Sequence, residues 1–460
     1  MITKEQQLRI DILFKQIDKL ESSDSSTMTP ISICRDLISQ KFNVNFSYLD
    51  ICCGKGTFLL CLYLEFWNFL ENIIPGFEER NKFIHSKIAG NDISKAQVDI
   101  AKSTMIKVQK ILKIKNLLDF NIYNYNILDE KNNLDELKKK FTCVITNPPY
   151  NSDRNDTDSK NTKDIYTNII EKAYDLTDRY VIMITKSNWM NFPKHKKFRE
   201  KMINDFNVDK IVHYKENPFN GTEISGGVSY FVIDNENTKD TFELNGVVYD
   251  RKIALDFLPY ELDKKELLVL DKLNKIKKLS LTNYRSQGWY GIKTNDVRLK
   301  KTNNGDYIEC NVSEQKGKIM FFPKNELTNK MLEDINKYKI FSTSNYGANP
   351  YSLGRLFKSN EKQLCSESLV NWIFDNENDR DLFFDYLNTK LFRFCVSLIK
   401  NKQNISKNTF SLVPHIDFSK LEKVDDENIY KYLNLTEEDI QTIEERCERL
   451  KLIKKIKIKL

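Results

Sequence analysis

Between Phe46 and Asp234 the chain repeats one pattern, a short apolar run followed by an amphipathic stretch. The runs are FSYLDICC, KIAGND, FNIYNYN, FTCVITN and RYVIMIT, and helix-like segments lie near 58–72, 94–113, 131–140 and 164–177. Parallel strands need crossover helices, so this alternation predicts a parallel sheet with helices on both faces. Two further β-like runs, DKIVHYK at 209–215 and GGVSYFVID at 226–234, bring the expected sheet to about seven strands. The expected class is α/β, Rossmann-like.

Such sheets bind ligands at the carboxyl ends of their strands, and three runs end there in unusual residues. The first ends in DICCGKGTF, where Gly54 and Gly56 allow a turn tight enough for a ligand to lie against it. A dinucleotide fingerprint needs a third glycine, and position 59 is Leu, so a pyrophosphate is not favoured. The second ends in GNDIS, with Asp92 where an acid commonly accepts from ribose hydroxyls. Asp92 equally suits the N-cap region of a helix starting near Ser94. The fourth ends in ITNPPYN. Proline has no backbone N–H and a fixed φ, so Pro148-Pro149 stops the strand at Asn147 and leaves a stiff loop holding an amide and an aromatic ring.

Together, D-x-x-x-G-x-G from Asp50 to Gly56, the acid Asp92 and N-P-P-Y at 147–150 resemble the amino-methyltransferases that use S-adenosyl-L-methionine. MTPISICRDLI at 28–38 looks like that family's cofactor motif placed ahead of the glycine loop, which is the γ motif order of DNA adenine-N6 methyltransferases. The carboxyl-terminal NKQNISKNTFSLVPHIDF is similar to the closing segment of adenine methyltransferases from type II restriction–modification systems. The resemblance implies a seven-stranded class I methyltransferase domain and a carboxyl-terminal mixed α+β target-recognition domain. It implies cofactor contacts from Thr29, Asp50, Cys52, Gly54, Gly56, Thr57, Asp92, Ile93, Asn126 and Asn147. The catalytic group it implies is Asn147, Pro148, Pro149 and Tyr150, with Tyr150 and Phe219 stacking on the target base from its two faces. The partners it implies are double-stranded DNA and a separately encoded cognate restriction endonuclease.

The chemistry of that resemblance suits the residues. An adenine amine is a poor nucleophile because its lone pair is delocalised into the ring. Two fixed acceptors, the Asn147 side-chain oxygen and the Pro148 carbonyl, would draw the nitrogen toward a tetrahedral geometry with little reorganisation. A base reaches such a pocket only after leaving the duplex. Cytosine-C5 chemistry needs a Pro-Cys nucleophile in its family, and none of the ten prolines precedes a cysteine. Two positions depart from the pattern. Ile51 replaces a proline, and Asn126 stands where an Asp usually accepts from the cofactor's adenine, though its amide oxygen can accept one hydrogen bond. Phe219 equally suits a core position, and Thr29-Pro30 equally suits a helix start. RNA or protein N-methyltransfer, and a non-catalytic nucleic-acid binder of the same fold, are the competing readings.

A chain of 460 residues is long for one core. The character changes near 255–262, so 1–260 is expected as the cofactor-binding catalytic domain and 261–460 as the target-recognition domain with carboxyl-terminal helices. Leu262–Leu279 reads as a charged helix, periodicity then weakens until about 365, and helical spacing returns over 369–399. Arg285, Gln287, Trp289, Tyr290, Arg298, Asn345, Tyr346 and Arg355 are the candidates for base readout. A net charge of +7 permits nucleic acid without demanding it. Four histidines without an HExxH and nine cysteines without a C-x-x-C argue against a zinc site and for a reducing cytoplasm. The first twenty residues read as a charged amphipathic helix and not a signal peptide, and FLLCLYLEFWNFL is too short to span a bilayer. The polar stretch 151–164 reads as a lid or as a solvated loop. DYIECNVSEQK can be forced into a nuclease pattern, but such matches are cheap in a Lys/Glu-rich chain and we assign no nuclease to it.

Overall fold

All seven apolar runs become strands: β1 (Tyr48–Asp50), β2 (Ile88–Asn91), β3 (Asn121–Tyr123), β4 (Phe141–Thr146), β5 (Thr177–Lys186), β6 (Val208–His213) and β7 (Val228–Asp234). The computed structural model describes residues 2–19, 29–129, 134, 137, 141–150, 164–214, 216–219, 224, 226–251, 258–259, 262–303, 305–312, 319–344, 353–399 and 405–457. Among the described residues the sheet has nine strands instead of seven, because β8 (Thr241–Leu244) and β9 (Val247–Asp250) extend it in the order β3-β2-β1-β4-β5-β7-β6-β8-β9. Their hairpin turns on Asn245 and Gly246, at φ 51° and 82°. Two consecutive left-handed residues match the twist of the flanking strands, and Asn-Gly is the pair that adopts them most readily.

β1 pairs in parallel with β2 and β4, and β4 with β5, while β7 runs antiparallel between β5 and β6. The carboxyl ends of β1, β2, β4 and β5 therefore share one edge, joined by the amino end of β7, where Val228 faces Lys186. The helices of this half are α1 (Lys4–Lys19), α2 (Ile31–Ser39), α3 (Thr57–Phe69), α4 (Phe77–His85), α5 (Lys95–Ile111), α6 (Tyr166–Leu176), α7 (Asn188–Asn191) and α8 (Lys196–Asn204). Most of the helix expected at 131–140 lies outside the described residues. The apolar run that looked long enough to question is α3, nearly all of whose residues are buried, with Glu65 facing out. A helix apolar all round must be buried on every side, and α2, α4 and α5 all pack on it. Among the described residues no helix is long and apolar enough to cross a membrane.

The chain divides into two compact units, Met1–Phe257 and Leu258–Leu460. The second holds a four-stranded sheet of Tyr284–Arg285, Leu369–Phe374, Tyr338–Thr343 and Leu356–Ser359, and a three-stranded sheet of Ile319–Pro323, Tyr307–Asn311 and Gln363–Cys365. Leu369–Phe374 is thus a strand where helical spacing was expected. A short buried run of apolar residues carries no periodicity that separates the two. Helix begins at Glu377, where the Asn376 side chain accepts from the Asp379 N–H, and continues through Lys390–Ile399. The expected charged helix is Lys264–Asn274, opened by a reciprocal cap between Asp263 and Glu266.

Candidate active site

The loop after β1 owes its shape to two glycines. Gly56 sits at φ 88°, and a Cβ there would stand 3.2 Å from that of Ala101 on α5. Gly54, at φ 49°, has open space where its side chain would be. Its N–H donates to Asp92 Oδ2 at 2.9 Å, while Asp92 Oδ1 accepts from the Ser94 N–H at 2.8 Å. Asp92 therefore takes up the second of the two placements the sequence left open, bracing the start of α5, and also meets the glycine loop. Ile93 beside it is 66% exposed, a large apolar side chain facing out of the sheet edge.

Asn91, which sequence reasoning did not single out, ties three loops together. Its side-chain Nδ2 donates to the carbonyls of Ile51 and Tyr125, each at 3.1 Å, and its Oδ1 accepts from the Tyr125 N–H at 2.9 Å. The available signal was an amide at the end of an otherwise apolar buried strand, where a polar group needs partners. Asn124 Nδ2 adds bonds to the carbonyls of Asp92 and Ile93 at 2.8 and 2.9 Å. Asn126 is exposed on the same loop, with Oδ1 accepting from the Leu128 N–H at 3.1 Å.

Asp50 is buried at the end of β1, where it accepts from Thr146 Oγ1 at 2.6 Å and from the Cys52 N–H at 3.3 Å. Burial raises its pKa to about 7 against the pull of those two bonds, and Asp92 pushes the same way. Burial, with help from Asp50 and Asp92, holds the Cys52 thiol well above its ordinary range, so it is no nucleophile. Thr57 begins α3 and is buried.

Thr146 leads into the proline loop. Asn147 Nδ2 donates to Thr29 Oγ1 at 3.0 Å, and Thr29 is itself buried just ahead of α2. That bond fixes the amide, and its Oδ1 is enclosed with no partner among the described residues. Pro148 is buried and Pro149 exposed. The Tyr150 hydroxyl is also enclosed without a partner among the described residues, and burial raises its pKa. Lys186 Nζ lies over the Tyr150 ring, 5.7 Å from its centroid. Thr29, Asp50, Thr146, Asn147 and Tyr150 thus come together at one sheet edge, and the Gly54–Asp92 pair occupies the same edge.

Phe219 is 3% exposed and belongs to the hydrophobic core cluster of this unit. The lid reading of 151–164 falls outside the described residues except for Asp164. In the second unit, three candidate base readers are committed elsewhere. Arg285 grips Asp334 through Nε and Nη2 at 2.7 and 2.9 Å, and buried Tyr290 donates to the same carboxylate. Arg298 is held by Asp296 and Glu326. Arg355 and Gln287 are exposed, whereas Asn345 and Tyr346 lie outside the described residues. Among the described residues no group of His, Cys, Asp and Glu is placed to hold a metal ion.

The family model of the Eco57I restriction-modification methylases matches residues 86–219, from the start of β2 through α8 and β6. An uncharacterized adenine-specific methylase of Mycoplasma pneumoniae is 32% identical over 101 residues, which is 21% of this chain and 24% of that protein. The matched stretch therefore spans about a quarter of that relative's length. Among solved structures, a DrdV–DNA complex aligns with a TM-score of 0.50 at 13% identity, covering 90% of this chain and 58% of that one. The type IIL restriction-modification enzyme MmeI in complex with DNA aligns at 0.49 and 12% identity, covering 88% and 66%. At such identities the likeness to DrdV concerns the fold. The segment that carries Asp92, the proline loop and Phe219 is the part of the chain that resembles the Eco57I restriction-modification methylases.

Proposed function

We propose that this chain transfers a methyl group from S-adenosyl-L-methionine to N6 of an adenine flipped out of duplex DNA, as the modification activity of a restriction–modification system. The observation that carries the reading is the Asn147 amide. Its Nδ2 is committed to Thr29, so Oδ1 is the atom left to meet an incoming donor. A buried acceptor without a partner is costly unless a ligand completes it. An exocyclic amine supplies the N–H that it lacks, and the proline pair holds the neighbouring carbonyl in place beside it.

The cofactor fits the residues present. Gly54 leaves open space at the end of β1, Asp92 meets the glycine loop beside it, and Ile93 offers an exposed apolar face of the kind a purine ring covers. When bound, S-adenosyl-L-methionine supplies an electrophilic methyl group. Asn147 Oδ1 and the Pro148 carbonyl accept the two amine hydrogens, orient the nitrogen lone pair and stabilise the positive charge that develops on it. One of the two N–H protons then leaves through these acceptors to solvent. Tyr150 offers its ring to the flipped base. Residues 258–460 would carry target recognition, with exposed side chains such as Arg355 and Gln287 better placed for readout than Arg285 or Arg298.

Incubation of the purified chain with S-adenosyl-L-methionine and unmethylated phage DNA, followed by nucleoside mass spectrometry, tests this. N6-methyladenine is the expected product. N4-methylcytosine, or methylated RNA with DNA untouched, would overturn the assignment.

A further inference from the structure

Lys186 is the last residue of β5 and faces Val228 across the sheet. Its neighbours form a compact charged group. The Asp164 side chain, only 12% exposed, ion-pairs with Lys194 and meets His195 Nε2 at 3.2 Å. His195 is buried and within 3.4 Å of the Tyr166 hydroxyl. Lys186 is enclosed enough for burial to lower its pKa, an effect Lys194 reinforces and Asp164 opposes. A lysine serving solubility would extend into water. This one is held against an aromatic ring, 5.7 Å from the Tyr150 centroid. At that distance an ammonium is drawn to the negative face of the ring, and the attraction grows as water is excluded.

A ring has two faces. Resting on the methyl-transfer reading above, we propose that Lys186 is a positioning residue: its ammonium fixes the Tyr150 ring from one side, so that the opposite face is presented to the target base. Asp164 and the Lys194–His195 pair form the charged backing that keeps the ammonium at the end of β5. Nothing in the motif pattern points to Lys186. It emerges only from the pairing of β4 with β5, which brings the two strand ends together.

Full-length wild-type, Lys186→Met and Lys186→Arg proteins would be compared on unmethylated phage DNA with radiolabelled S-adenosyl-L-methionine. Loss of a partly desolvated cation–π contact predicts a roughly three- to thirtyfold higher KM for DNA in Lys186→Met. The KM for the methyl donor should be unchanged, and Lys186→Arg should recover most of the loss. The dependence of DNA affinity on salt should keep its slope. A slope shallower by about one would mean that Lys186 binds a phosphate and would overturn the proposal. A KM for DNA equal to wild type would overturn it too. Should Lys186→Met not fold, as read from its thermal shift with S-adenosylhomocysteine, Lys186→Gln takes the same measurements. Wild-type protein that leaves DNA unmethylated defeats the functional reading and this one together. Wild-type activity matched by Lys186→Met defeats the positioning role alone.

Discussion

The backbone N–H of Gly54 donates to Asp92 across 2.9 Å, so the ends of β1 and β2 are tied by one charge-assisted bond. The carboxylate thereby shapes the glycine loop proposed to hold the cofactor. Asp92→Ala should weaken S-adenosylhomocysteine binding roughly tenfold or more, since a hydrogen bond to a charged group contributes about 1.5–3 kcal/mol. The fold should survive, because Asn91 still joins the same loops through three hydrogen bonds. Titration calorimetry on folded variant protein measures this, and unchanged affinity would remove Asp92 from the cofactor site.

Asn147→Ala removes a fixed acceptor and should lower the single-turnover methylation rate on the order of a hundredfold or more. Cofactor and DNA should still bind, because the lost contact strengthens chiefly in the transition state. Thr29→Val keeps the shape of residue 29 but leaves Asn147 Nδ2 without its acceptor. The rate should then fall by roughly tenfold, the worth of about one hydrogen bond, and Thr29→Ser should recover it. Rapid-quench kinetics separates these effects from binding. A Thr29→Val enzyme with the wild-type rate would show that the bond does not orient the amide.

Tyr150→Ala should weaken binding of target DNA by roughly 1–3 kcal/mol through lost stacking. Tyr150→Phe should retain activity and be neutral or slightly more stable, because its hydroxyl is enclosed without a partner among the described residues. Fluorescence anisotropy on DNA and thermal melts report the two halves. A Phe variant as impaired as the Ala variant would assign the chemistry to the hydroxyl instead of the ring.

Burial raises the Asp50 pKa to about 7, so this carboxyl is protonated in the folded chain at pH values where the unfolded chain has released its proton. The resulting stability is fully present below the unfolded pKa and is lost as pH rises through about 7. The ligand-free protein should lose up to about 1.4 kcal/mol per pH unit from this group between the ordinary Asp range and about 7, and nothing further from it above that point. Asp50→Asn cannot titrate and should show a flatter profile across the interval from the ordinary Asp range up to about pH 7 in chemical denaturation. Equal slopes in both proteins would mean that Asp50 is already ionised when folded.

The strands were legible because each run is apolar, short and bounded by polar turns, and burial on both faces leaves little choice of period. The β8–β9 hairpin escaped notice although its Asn245-Gly246 turn is a strong local signal, since each strand is only four residues long and includes a charged residue. Leu369–Phe374 was ambiguous on its own, and only the partners Tyr338–Thr343 and Tyr284–Arg285 decide it. Within the candidate site, Asn147, Tyr150, Asp50 and Asp92 were visible because their placement depends on local chain stiffness or on strand ends. Asn91 and Lys186 were not, since their partners lie on the loops that follow other strands. The candidate readers Arg285 and Arg298 show the converse. An exposed-looking arginine carries no mark of the aspartate that holds it, and Asp334 is 49 residues away from Arg285.

Thr29 and Asn147 stand 118 positions apart, with β1 to β4 between them in the chain. During synthesis the segment holding Thr29 leaves the ribosome long before its partner. At about 5–20 residues per second the wait is roughly ten seconds. Over that interval Thr29 has no amide to hold, and β1 lacks the β4 neighbour that fills one of its two sides. The orientation of the Asn147 amide is therefore a late event, conferred only when the fourth strand docks, and no nascent fragment ending before it can carry the reaction.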